Sequence, residues 1–207
     1  MKILQVDSGF ARPNSVSREL TAAIVAELAS RDDKAEIVQR DLASSETAHV
    51  STTALPSVHP AATPASDLDA AGQATRGVSD AILEEFLAAD VIVLGAPMYN
   101  FLIPSQLKAW IDRIVIPGTT VRYTAEGPEG LAGNKKLIVA IARGGVYPPG
   151  GAGKFVDFAE DYLRTIFSFI GIDDIQFVIA EGLSMGEEAQ ANALAAAHAA
   201  IAALQSS

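Results

Sequence analysis

A chain of 207 residues can build one sizeable hydrophobic core and is short for two. With 49% hydrophobic and 19% charged residues it has a globular composition, not a disordered one. A formal net charge of −10 argues against nucleic acid as partner, and the lack of cysteine excludes disulfides, thiolate nucleophiles and cysteine metal sites.

Met-Lys-Ile-Leu-Gln-Val at the start reads as a strand over residues 3–6. It lacks the charged and then long apolar pattern of a signal peptide, and no apolar run is long enough to span a bilayer, so a cytoplasmic protein is expected. Val16, Leu20, Ile24 and Leu28 recur every four residues and line one helix face. A second strand is expected over residues 36–38. Residues 43–66 are rich in Ala, Ser, Thr and Pro, with Pro56, Pro60 and Pro64 breaking any helix, and read as a long surface excursion. A weaker helix follows at 67–88, then a buried strand at 91–94. Leu107, Trp110, Ile111 and Ile114 mark another helix. Strands at 137–142 and 175–180 alternate with helices at 155–169 and 187–204. The alternation predicts a parallel α/β sheet with helices on both faces, in a single domain spanning 1–207. His49, His59 and His198 are scattered, so no metal site is expected.

Open parallel sheets bind ligands beyond the carboxyl ends of their strands. That rule selects the loops at 7–14, 96–103 and 143–153. The first, "DSGFARPNSVSREL", runs straight into a helix near Ser15. A helix N-terminus offers free N–H groups, Ser15 and Ser17 add hydroxyls, and Arg12 adds charge, which together suit a phosphate. Taken alone, an ordinary N-cap at Asn14 or Ser15 explains this stretch better. The dinucleotide fingerprint is absent, and "GGAGKF" departs from a P-loop, so a ligand with a single phosphate fits best. In the third loop, Gly144 and Gly145 would let a ring approach backbone N–H groups, with Arg143 supplying charge. The second loop carries Met98, Tyr99, Asn100 and Phe101 between Pro97 and Pro104. Such a group suits a flat aromatic ligand, with Asn100 reading the edge of a heterocycle; burial of Tyr99 and Phe101 in the core or a partner subunit is the alternative. Flavin mononucleotide (FMN) combines one phosphate with a flat tricyclic ring.

The motifs "S-x-S" at 15–17, "PMYNF-x-IPSQLK" at 97–108, "RYT-x-x-GPEGL" at 122–131, "RGG" at 143–145 and "FIGI" with a following "F-x-x-AEG" resemble the bacterial FMN-dependent azoreductases. These are also called azoreductase-type NADH:quinone oxidoreductases, and the resemblance runs from residue 1 to about 204. It implies a flavodoxin-like fold with a five-stranded sheet in the order 2-1-3-4-5, a homodimer and one FMN per subunit. It assigns the phosphate to Ser15, Val16 and Ser17, and the ring to Pro97, Met98, Tyr99, Asn100 and Phe101 together with Ala142, Arg143, Gly144 and Gly145. Two positions depart from the family pattern. Gly9 stands where a second serine is usual, so that a hydroxyl contact is either missing there or replaced by a backbone N–H, and Ala142 stands where Ser or Thr often precedes Arg-Gly-Gly. The resemblance further implies ping-pong reduction of quinones and azo compounds by NADH or NADPH. The flavin carries the chemistry, and no side chain is an obligate acid or base. Tyr123 and Phe169 match positions that reach the neighbouring subunit's pocket and bind substrate there. A flavodoxin-like electron carrier and an interaction protein without flavin are the competing functions.

Overall fold

The computed structural model describes residues 1–10, 15–44, 47–147 and 157–204. In chain order the elements are β1 (Lys2–Asp7), α1 (Val16–Ala29), β2 (Glu36–Asp41), a short 3-10 turn (Ala65–Asp67), α2 (Ala70–Ala88), β3 (Val91–Pro97), α3 (Ser105–Ile114), β4 (Val121–Thr124), β5 (Gly127–Gly130), β6 (Lys136–Ala142), α4 (Phe158–Phe169), β7 (Asp174–Ala180) and α5 (Glu187–Ala202). Five strands form a parallel sheet ordered β2-β1-β3-β6-β7. Every residue of β3 and β6 is buried, which explains their continuous apolar runs: strands covered on both faces need no alternation. Edge strand β2 keeps an exposed pattern and continues to Asp41, beyond the expected 36–38.

Alternate residues of each strand point to opposite faces, and the core divides accordingly. On one face Leu4, Val6, Ile92, Leu94, Val139 and Ile141 pack with Phe86 of α2, Trp110 of α3 and Phe167 of α4. On the other, Ile3, Val93, Ile138 and Ala140 meet Leu20, Ile24 and Leu28 of α1 and Ala197 and Ile201 of α5. α4 is capped by Asp157, whose side chain accepts from the Glu160 N–H; the expected start at 155 falls outside the described residues. No helix among the described residues is long and apolar enough to cross a membrane.

Two features depart from expectation or go beyond it. The antiparallel hairpin β4/β5 was not foreseen, because Gly-Pro-Glu-Gly is a poor strand sequence. The excursion after β2 is fastened by buried guanidinium groups. Arg113, 1% exposed, donates from Nε to Ser79 Oγ (2.8 Å), from Nη1 to Ala109 O (2.7 Å) and from Nη2 to Ala48 O (2.8 Å). Arg76 donates to the carbonyls of Thr52, Thr53 and Thr63. Neither has a carboxylate partner among the described residues. Burial therefore pushes the pKa of Arg113 down from the usual arginine range. Arg113→Ala strands these acceptors and opens a cavity. It should cost about 2–4 kcal/mol in urea unfolding and expose residues 47–64 to limited proteolysis.

Candidate active site

β1 delivers the chain to Asp7, and α1 begins nine residues later at Val16. Ser15 is the N-cap in extended conformation (φ −84°, ψ 107°), yet its side chain caps nothing. Ser15 and Ser17 are 9% and 1% exposed, and their Oγ atoms lie 3.2 Å apart. Among the described residues the N–H groups of Ser15, Val16 and Ser17 donate no hydrogen bond. Two hydroxyls and three N–H groups thus converge at a helix N-terminus, the donor set an anion needs. A Cβ on Gly9 would lie 2.5 Å from Ser15 Oγ and 3.1 Å from Ser17 Oγ, so the loop backbone passes hard against the serine pair. Ser8 turns inward and donates to Gly95 O (2.6 Å). The loop therefore offers no side-chain hydroxyl at Gly9. Arg12 lies outside the described residues.

The second loop is tied to the third through Met98 N–H, which donates to Ala142 O (2.8 Å). Tyr99 and Leu102 exchange two backbone bonds (2.9 and 3.1 Å), closing a tight turn over Asn100 and Phe101. Both central residues are left-handed, with φ 50° and 68°. Asparagine tolerates this; phenylalanine is held there at a cost of about 1 kcal/mol or more. Met98 is half-buried and packs on the core, Tyr99 stacks against Phe10 (centroids 4.5 Å apart), and Phe101 is 47% exposed. The Asn100 amide is exposed and makes no hydrogen bond among the described residues.

The third loop corrects the expectation for Arg143. Its side chain is 5% exposed and ion-paired with Asp157 (2.5 Å) and Glu181 (3.0 Å). Its charge is therefore spent on fixing the ends of β6, α4 and β7, not offered to a ligand. Its Nε is a buried polar atom with no partner among the described residues. Cβ atoms on Gly144 and Gly145 would meet Ser184 Oγ at 2.6 Å and the Tyr147 hydroxyl at 3.1 Å, with its ring at 3.3 Å. These glycines thus make room for protein side chains, and their N–H groups remain without acceptors among the described residues. Ala142, 8% exposed, closes β6 opposite Pro97 and Ala180.

A ring with one phosphate fits this arrangement. Anion donors stand at α1, a strained turn presents a free amide and an aromatic face after β3, and free N–H groups follow β6. Among the described residues no cluster of histidine or carboxylate side chains suits a metal ion. Phe10, Arg18, Tyr147, Asp157 and Glu181 complete the site; of these only Glu181 falls in a family motif, the "F-x-x-AEG" at 177–182, and none is singled out by its residue type.

Residues 1–204 match the family model described as flavodoxin-like fold. The chain is 53% identical over 201 residues to the FMN-dependent NADH:quinone oxidoreductase of Methylobacterium radiotolerans, covering 97% of this chain and 98% of that protein. It is 52% identical over 194 residues to the protein of that name from Methylocella silvestris, covering 94% of each. Among solved structures it resembles an azoreductase of Bacillus anthracis (TM-score 0.80, 30% identity, 99% and 100% coverage). It also resembles an FMN-dependent NADH-azoreductase of that species in complex with FMN (TM-score 0.81, 25% identity, 98% and 99% coverage). The chain belongs to the flavodoxin-like FMN-dependent NADH:quinone oxidoreductases. Not every family-matched position lies near the strand-end loops in this oxidoreductase. Phe169 closes α4, and β7 then starts level with the first residue of β6. A helix of 12 residues, about 18 Å, separates Phe169 from the carboxyl ends of its own sheet. Tyr123 stands on the hairpin, 72% exposed.

Proposed function

We propose that this chain is an FMN-dependent oxidoreductase that uses NADH or NADPH to reduce quinones and azo compounds. The convergence of the α1 N-terminus, the strained Tyr99–Leu102 turn and the Gly144–Gly145 N–H groups at one end of the sheet carries the reading. Counted without the hairpin, the sheet is read as the order 2-1-3-4-5, in a single domain of a cytoplasmic protein. Ser15, Val16 and Ser17 hold the phosphate, with the Gly9 backbone alongside. Pro97 to Phe101 and Ala142 to Gly145 border the ring. The chemistry supplied by bound FMN is hydride acceptance from the nicotinamide and two-electron delivery to the acceptor, in ping-pong order. The protein binds, orients and excludes water. With Arg143 already paired, the N–H groups of Gly144 and Gly145 are left to meet negative charge on the ring. No side chain is assigned as proton donor or acceptor.

The active site is read as shared in a homodimer. Tyr123 and Phe169 lie too far from their own strand-end loops to cover a ring held there, but suit a neighbour's site, where they would stack on flat acceptors. Phe169→Ala should raise the acceptor KM several-fold while costing little stability, since Phe169 is only partly buried. The test of the whole reading is steady-state oxidation of NADH or NADPH by a quinone with FMN and no other protein. Parallel double-reciprocal lines are expected. Flavin binding without turnover would favour an electron carrier, and light scattering of a monomer with full activity would defeat the shared site.

A further inference from the structure

Two carboxylates stand beside the proposed phosphate end. Asp7 closes β1 and is 9% exposed; Asp41 closes β2 directly opposite in the register. Uncompensated, both would repel a phosphate dianion across a poorly screened distance. Arg18, the third residue of α1, reaches back to both. Its Nη1 and Nη2 donate to the two Asp41 oxygens (3.0 and 2.5 Å), and Nη1 lies 3.9 Å from Asp7 Oδ2. Its Nε donates to Gly9 O (2.8 Å). Asp7 also accepts from Thr21 Oγ1 (2.7 Å) and Gln5 Nε2 (3.0 Å), which hold it buried in this orientation. The planar peptide after Gly9 must point its Phe10 N–H away from Arg18. Gly9 itself lies against the serine pair on its Cα side, where an added Cβ would stand 2.5 Å from Ser15 Oγ and 3.1 Å from Ser17 Oγ.

We propose that Arg18 is the positioning residue for phosphate recognition in this protein. Its single positive charge offsets part of the charge on the Asp7–Asp41 pair, its Nε holds the Gly9 carbonyl and with it the loop against the serine pair, and it so sets the preference for a phosphorylated flavin over riboflavin. The proposal rests on the reading that the α1 N-terminus takes the FMN phosphate. It requires the planar, multidentate guanidinium, since no ammonium can reach Asp41 twice and Gly9 at once.

The test is the dissociation constant of apoprotein for FMN and for riboflavin, by flavin fluorescence quenching. Wild type should prefer FMN strongly. Arg18→Met should weaken FMN by about 10–100-fold and leave riboflavin within about twofold. Adding Asp41→Asn to Arg18→Met should recover part of the FMN affinity, and Asp41→Asn alone should leave it unchanged or tighter. Equal losses for both flavins, or no recovery in the double variant, would overturn the role of Arg18. A wild type that binds riboflavin as tightly as FMN would instead remove the phosphate assignment on which the proposal stands. Asp41→Asn keeps the test decisive if Arg18→Met fails to fold: weaker FMN binding in that single variant also refutes the proposal.

Discussion

Ser15→Ala/Ser17→Ala should lose FMN on dialysis and keep its fold. A hydrogen bond from a neutral donor to a charged acceptor is worth about 1.5–3 kcal/mol, so two such losses weaken binding by roughly two to four orders of magnitude. The single variants should fall well short of half that effect each. The two Oγ atoms are 3.2 Å apart and make one hydrogen bond in which either can donate, so the hydroxyl left in a single variant is released to turn to a phosphate. Folding should survive for reasons visible at the helix start. Ser15 makes no side-chain capping bond, so alanine removes none. Ser17 lies inside α1, where alanine is the better helix former. Flavin absorbance after dialysis and far-UV circular dichroism check both halves. A double variant that retains FMN at wild-type affinity places the phosphate elsewhere.

The strand-end loops were legible because apolar runs bounded by turns mark buried parallel strands, and the topology rule then selects their carboxyl ends. What stayed hidden were pairings across distance. Arg143 reads as a free cation beside two glycines, yet its carboxylates stand 14 and 38 residues further on, at Asp157 and Glu181. Arg18 belongs to no motif, and only the parallel register brings Asp7 and Asp41 together under it. The excursion after β2 has no side-chain pattern because its anchors are backbone carbonyls, gripped by arginines of α2 and α3. The hairpin failed for another reason. Its second strand, Gly127–Gly130, has almost no intrinsic strand preference, so what holds it is contact with the rest of the fold.

That contact leaves Gly130 less room for a side chain than any other described glycine. A Cβ there would sit 2.1 Å from Gly171 N, 2.3 Å from Ile170 C and 2.4 Å from Gly171 Cα. All three are backbone atoms, so no side chain can swing aside. Gly171 itself has φ +94°, a conformation its own lack of a side chain permits, and the nearby Ala132 N–H donates to Ile170 O (2.8 Å). Gly130→Ala must therefore lift the hairpin from the end of α4 or unwind that turn, at a cost of at least about 3 kcal/mol. Gly77→Ala is the control. It lies on the exposed side of α2 with nothing within 4 Å of an added Cβ, and should raise stability by about 0.5–1 kcal/mol. Thermal unfolding should separate the two in opposite directions. The hairpin carries Tyr123, while the loops proposed to hold FMN lie at the far end of the sheet. The folded fraction of Gly130→Ala should therefore bind FMN nearly as wild type does but show a raised KM for quinone. Gly130→Ala with unchanged stability would mean that the hairpin is not seated on α4 in solution.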